Sequence, residues 1–219
     1  MNSKVHRVSF TSSNSYNTLN ALTNSTQNIW LVFHGMGYLS RYFLKYFKTL
    51  DPALNYIIAP QAPSKYYQGP DFKHVGASWL TREDTQQETI NVLDYVDAVV
   101  RQQQIKNDPR LIIMGYSQGV SIAMRYMAKY HIQVKELILH SGGIPVELAQ
   151  ADLEYLNPET PVTYIYGSKD QYINQARKTE QQLLGENLFG DRLKINKFDG
   201  IHEVYLPFLE QVANKTTQV

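Results

Sequence analysis

Short runs of β-branched and aromatic apolar residues recur along the chain, each separated from the next by a longer stretch whose apolar positions repeat at helical spacing. Six runs read as strands: residues 29–33, 56–59, 111–114, 136–139, 162–166 and 193–198. Between them, residues 39–50, 83–104, 118–130, 171–184 and 203–214 read as helices. In the second of these, Val92, Val96, Val99 and Val100 recur at i, i+4, i+7 and i+8, a stripe that faces a core. Such alternation predicts an α/β fold with a mostly parallel central sheet and helices on both faces. The first stretch differs. Residues 5–10 and 16–22 alternate around Thr11-Ser12-Ser13-Asn14, which is turn chemistry, and predict an N-terminal antiparallel hairpin at the sheet edge. Residues 60–81 hold Pro60, Pro63, Gly69 and Pro70 together with Tyr66, Tyr67 and Trp79, and read as a long irregular loop.

The pattern runs without linker, repeat or low-complexity tract, so residues 1–219 are expected to form a single domain. Charge narrows the partners: 21 Lys+Arg against 20 Asp+Glu leave +1, with no basic stripe for phosphate backbones, so no nucleic-acid partner is expected. The longest apolar run, Ile29 to Phe33, is far short of a bilayer span, and residues 1–10 lack a basic-then-apolar signal pattern. A cytoplasmic protein without stable membrane insertion, monomeric or homodimeric, is the expectation. The absence of cysteine excludes thiolate metal sites and every cysteine nucleophile.

The chemistry sits in Gly115-Tyr116-Ser117-Gln118-Gly119, placed between an apolar strand and a helix. A serine on so sharp a strand-to-helix turn exposes its hydroxyl above the sheet, and flanking glycines relieve the crowding. Ser117 is the candidate nucleophile. In this motif the acid and the histidine follow the serine, and catalytic groups of open parallel sheets lie beyond the carboxyl ends of strands. Three histidines follow: His131 at a helix end, His140 at a strand end where it could line the site, and His202 in a short turn after the last strand. His202 best meets order and position as general base. For the acid, Asp170 follows the strand 162–166, with Asp199 and Asp152 as competitors on position alone. Backbone N–H groups of Gln118 and of Met36, the latter between Gly35 and Gly37, fit an oxyanion hole. His34 reads as ordering that loop. Trp79 is expected either to wall the acyl chain or to anchor the 60–81 segment to the core.

Taken in order, His34-Gly35-Met36-Gly37, Ala59-Pro60-Gln61-Ala62-Pro63, Ser78-Trp79, Gly115-Tyr116-Ser117-Gln118-Gly119, Leu139-His140-Ser141-Gly142, Gly167-Ser168-Lys169-Asp170 and Gly200-Ile201-His202 resemble the α/β-hydrolase serine esterases of the phospholipase/carboxylesterase group, which includes acyl-protein thioesterases. The resemblance covers roughly residues 29–210. It implies an α/β-hydrolase fold, a triad of Ser117, Asp170 and His202, oxyanion donors at Met36 and Gln118, no metal and no cofactor. The implied activity is hydrolysis of carboxylic esters or thioesters, on a small-molecule or acyl-chain ester, with Trp79, Tyr38 and His140 as substrate-binding candidates. Acyl transfer to a non-water acceptor and a non-catalytic binding protein on the same scaffold are the alternatives. Tyr38 stands where the family commonly has an aspartate, Leu80-Thr81 where it often has an aromatic residue and an aspartate, and Ile201 where it has a glycine. Only residues 141–160 separate the fourth and fifth strands, too few for a large cap domain, so an open groove partly roofed by 60–81 is expected.

Overall fold

The computed structural model describes residues 3–215; Met1 and Asn2 of the signal-pattern reading lie outside them. In chain order the strands are β1 (Tyr16–Leu19), β2 (Asn28–Phe33), β3 (Asn55–Pro60), β4 (Ser64–Gln68), β5 (His74–Ser78), β6 (Leu111–Tyr116), β7 (Glu136–His140), β8 (Val162–Gly167) and β9 (Leu193–Phe198). The helices are α1 (Ser40–Phe43), α2 (Thr85–Gln102), α3 (Gln118–Tyr130), α4 (Gln175–Phe189) and α5 (Leu206–Ala213). Seven strands form one sheet in the order β1-β3-β2-β6-β7-β8-β9, parallel throughout except for β1 against β3.

Every residue of β2, β3, β6 and β7 is buried, because both faces of the sheet are covered. Alternation along β2 divides the core in two. Ile29, Leu31 and Phe33 pack with Val92, Val96 and Val100 of α2 and Val120 and Met124 of α3. Trp30 and Val32 point the other way, toward Phe43, Phe47 and, from α5, Phe208 and Leu209. Each such side chain contributes about 1.5–3 kcal/mol of transfer free energy, so the valine stripe on α2 fixes which face that helix presents.

All six strand runs of the sheet proper appear where the apolar pattern places them. The N-terminal hairpin does not form: residues 5–10 make no strand, Val5, Val8 and Phe10 are exposed, and β1 pairs instead with β3, Tyr16 opposite Pro60. The side chains of β1 are half-buried or exposed, so a strand outside it would cover no apolar face. The 60–81 segment is also more regular than expected. It contains an antiparallel hairpin of β4 and β5, reversed through Gly69 (φ 77°) and Phe72 (φ 55°). Because β4 is exposed along its whole length, it carries no apolar period to read. Helix α4 starts later than expected because the Asn174 side chain caps it, accepting the Arg177 N–H at 3.0 Å. Residues 141–160 hold only a short turn of helix and no cap domain. No helix among the described residues is long and apolar enough to cross a membrane.

Candidate active site

The site lies at the carboxyl ends of β2, β6, β8 and β9, where four strand-end loops converge. Ser117 bridges β6 and α3 with φ 53° and ψ −120°, a positive-φ backbone that costs a non-glycine residue roughly 1–3 kcal/mol. Its neighbours show why the motif needs glycine. A Cβ on Gly115 would stand 2.4 Å from the Val120 Cα, and one on Gly119 would stand 2.1 Å from the Phe33 carbonyl oxygen. The Ser117 N–H donates to the His140 carbonyl at 2.8 Å, which ties the turn to the neighbouring strand.

His202 reaches Ser117 across the top of the sheet, its Nε2 3.0 Å from the Ser117 Oγ and its Nδ1 2.7 Å from the Asp170 Oδ2. The Asp170 side chain is wholly buried and its Oδ1 accepts the Tyr172 N–H at 2.8 Å. A carboxylate is acceptor-only, so Nδ1 carries the imidazole proton and Nε2 turns its lone pair toward the serine hydroxyl. The Tyr172 ring packs edge-on against His202, centroids 4.8 Å apart, and the Tyr116 hydroxyl donates to the His202 carbonyl at 3.1 Å. The Tyr116 ring also packs on the imidazole, centroids 5.3 Å apart, so tyrosines border it on two sides.

Met36 shares a cleft with Ser117, and Gln118 follows that serine directly. Gln118 is the first residue of α3, and neither its N–H nor that of Met36 donates to another protein group among the described residues. His34 sets the second of these. Its Nδ1–H donates to the Gly35 carbonyl at 2.8 Å while its Nε2 accepts the Ala62 N–H at 3.2 Å. The Gly35 carbonyl and the Met36 N–H belong to one planar peptide, so holding the oxygen aims the N–H. His34 is fully buried, and desolvation pushes its pKa down to about 4, which keeps Nε2 free to accept.

A cleft of about 340 Å³ opens over Ser117 and His202, lined by Gly35, Met36, Tyr38, Tyr116, Tyr172 and Ile201, with Lys169 and Gln171 completing it. Met36, Tyr172 and Ile201 are largely exposed, so the cleft is open to solvent. The Tyr38 ring closes one wall, edge-on to Tyr116, and its hydroxyl lies 2.9 Å from that of Tyr46. Burial and that hydrogen bond push the Tyr38 pKa up to about 12, so the phenol stays neutral. No cluster of three His, Asp or Glu side chains that could hold a metal ion occurs among the described residues.

A family model described as Phospholipase/Carboxylesterase matches residues 15–218. The chain belongs to the phospholipase/carboxylesterase family. Among curated proteins, this family member is 25% identical over 122 residues to the putative hydrolase MhqD of Bacillus subtilis (strain 168). That stretch is 56% of the chain and 60% of MhqD, less than two thirds of the relative's length. In fold it is similar to a phospholipase/carboxylesterase from Dyadobacter fermentans DSM 18053, with a TM-score of 0.66 at 19% identity over 94% of this chain and 99% of that one. Acyl-protein thioesterase 2 of Zea mays gives a TM-score of 0.67 at 15% identity over 92% and 96% of the two chains.

The fold of this family member brings Ser117, Asp170, His202, Met36, Gln118 and Tyr38 together, and it separates the remaining candidates. Trp79 is fully buried and lines no part of the cleft; its indole N–H donates to the His34 carbonyl at 2.8 Å and its ring packs edge-on against Phe33. It is the anchor of its segment, and the acyl-wall expectation is corrected. His140 is also fully buried away from the cleft lining, its Nε2 accepting the Tyr205 N–H at 3.0 Å and its Nδ1 3.1 Å from the Ser141 Oγ. With both nitrogens engaged and burial pushing its pKa to about 3, it is a neutral strut and not a substrate contact. The roof expected from 60–81 is corrected too: none of these residues lines the cleft, and the hairpin instead braces the Met36 loop at Gly37, through the Ala77 carbonyl and the Gln68 side chain. Asp199 is exposed and paired with Lys169, Asp152 caps a turn at Ala149, and His131 packs on Tyr155. Sequence reasoning passed over Tyr172, although its position two residues after Asp170 at a strand end was a usable signal.

Proposed function

We propose that this family member hydrolyses small carboxylic esters or thioesters, with Ser117 as nucleophile, His202 as general base and acid, and Asp170 as its orienting carboxylate. One observation carries the reading: the unbroken line from a buried carboxylate through His202 to a serine hydroxyl on a strained turn, at 2.7 and 3.0 Å. Ser117 Oγ attacks the carbonyl carbon as Nε2 takes its proton, and Asp170 steadies the imidazolium that forms. Negative charge collects on the former carbonyl oxygen, which accepts from the Met36 and Gln118 N–H groups; each such donor is worth about 100–1,000-fold in turnover. Collapse breaks the bond to the alcohol or thiol, which leaves with the proton from His202 and an acyl group on Ser117. Water, deprotonated by the same Nε2, then attacks the acyl-enzyme and releases the acid.

The cleft supports a short substrate. At about 340 Å³ and open to solvent, it seats the ester group with a short acyl chain against its walls, and the leaving group extends outward. Tyr38 is the wall such an acyl group would meet. The test is turnover of p-nitrophenyl esters and matching thioesters of graded chain length by wild type and Ser117→Ala. Cleavage with an optimum at short acyl chains, lost in Ser117→Ala, is expected. A folded wild type that cleaves none of them above the variant would overturn the reading, and an optimum at long chains would overturn the substrate class.

A further inference from the structure

The two amides assigned above to the oxyanion hole lie on separate elements, the loop after β2 and the start of α3, and one four-residue strap, residues 77–80, bonds to both elements. From the Met36 side, the Gly37 N–H donates to the Ala77 carbonyl at 2.8 Å, and the His34 carbonyl accepts the Trp79 indole N–H at 2.8 Å. From the Ser117 side, the contacts run through a single side chain. The Gln118 Oε1 accepts the Trp79 backbone N–H at 2.8 Å, and its Nε2 donates to the Leu80 carbonyl at 2.7 Å and to the Ser78 Oγ at 3.0 Å. The carboxamide thus uses its acceptor and both donors on three consecutive residues, 78 to 80. Trp79 is fully buried and packs its ring on both His34, at 5.0 Å, and Phe33, at 5.7 Å, so the strap cannot shift without disturbing the core.

We propose that the Gln118 side chain is a positioning residue: by gripping Ser78-Trp79-Leu80, it fixes the spacing between the Met36 and Gln118 amides. The assignment rests on the hydrolase reading above. Its logic is geometric. The Gln118 N–H and the Gln118 carboxamide belong to one residue, so the grip on the strap holds the start of α3 in register with the loop that carries Met36. Oxyanion stabilisation depends on donors about 2.7–3.1 Å from where the charge develops, and a misplacement near 1 Å costs about 100-fold. An apolar side chain of the same length keeps the fold of α3, because Gln118 is only half-buried, yet releases the strap and leaves the Trp79 N–H without its acceptor.

The test uses the full chain, as wild type, Gln118→Met and Ser78→Ala, with active sites counted by fluorophosphonate titration. Three readouts are taken: kcat and KM on one p-nitrophenyl ester, and Ki for an aryl trifluoromethyl ketone, whose hemiketal oxyanion occupies the hole. For Gln118→Met, kcat per titrated site is expected to fall about 10–100-fold with KM within about threefold of wild type, and Ki to rise by the factor that kcat/KM falls. A purely structural role would lower the melting temperature and the titrated fraction and leave kcat per site and Ki unmoved; that result overturns the proposal. Should Gln118→Met fail to fold, Ser78→Ala, which deletes one of the three contacts, carries the test. A fall of about 3–10-fold in kcat with a matching rise in Ki is expected, and no change in either overturns it. A wild type that turns over no ester refutes the hydrolase reading itself, which separates the two failures.

Discussion

His140 and His202 stand in adjoining regions at the carboxyl end of the sheet, both rings packed on Tyr116 at 5.3 Å, yet their surroundings give them opposite chemistry. The interior region surrounds His140 with neutral partners, the Tyr205 N–H and the Ser141 hydroxyl, and desolvation holds it uncharged. His34 repeats that pattern between the Ala62 N–H and the Gly35 carbonyl. In the cleft, His202 has a buried carboxylate behind it and a serine hydroxyl in front, and its side chain is 16% exposed. A histidine between neutral groups in the dark of the core is a rigid spacer. One with a buried anion behind it and an open cleft ahead can accept a proton and pass it on, because the charge it gains is already matched.

This contrast breaks most sharply at Asp170. Asp170→Asn removes the anion behind His202 and favours the wrong tautomer, so kcat is expected to fall about 10⁴-fold on whichever ester wild type cleaves best. A fall under tenfold would put His202 in the same class as His140. The interior histidines are read out by pH. Their pKa values are lowered on folding, to about 4 for His34 and about 3 for His140, so between pH 6.5 and 4 the unfolded chain binds protons that the native chain refuses. Stability is therefore complete above about pH 6.5 and falls as pH drops toward 4, by about 3 kcal/mol from His34 alone at 1.36 kcal/mol per unit. Urea unfolding across that range checks it, and a midpoint that stays flat contradicts neutral buried rings.

His140→Ala tests the strut directly. It leaves the Tyr205 N–H without its acceptor and opens a cavity, for an expected loss of about 2–3 kcal/mol in urea unfolding while kcat stays within about threefold. A collapse of kcat with stability intact would move His140 into the reacting set. The smallest effect is expected at Met36→Ala, since the oxyanion donor proposed there is a backbone N–H, held by His34 and indifferent to its own side chain. Turnover should stay within a few-fold of wild type, against the 100–1,000-fold that loss of a donor brings.

The difference between these regions also explains what the sequence disclosed. Ser117, Asp170 and His202 were legible because chain order and strand ends are properties of a line of residues, and the apolar runs located those ends to within a residue or two. Met36 was read from the glycines on either side of it, and Gln118 from its place directly after Ser117. Burial was not legible. A histidine at the end of β7 and a tryptophan in a proline-rich stretch look available for a ligand until α5 brings Tyr205 onto one and the His34 loop closes over the other. Pairing was equally hidden at the edges. Residues 5–10 alternate yet leave Val5, Val8 and Phe10 in solvent, and β4 pairs with no buried face to give it a period, so one was read as a strand and is not, and the other the reverse. The Gln118 carboxamide belongs with these: its partners lie 38 to 40 positions away, joined only by the fold.

The central claim is that the line from Asp170 through His202 activates Ser117. Intact mass after incubation with a fluorophosphonate, on wild type and Ser117→Ala in parallel, tests it without choice of substrate. One adduct per wild-type chain and none on the variant is the expected result. A folded wild type that takes up no adduct, or a variant labelled as readily as wild type, would contradict it.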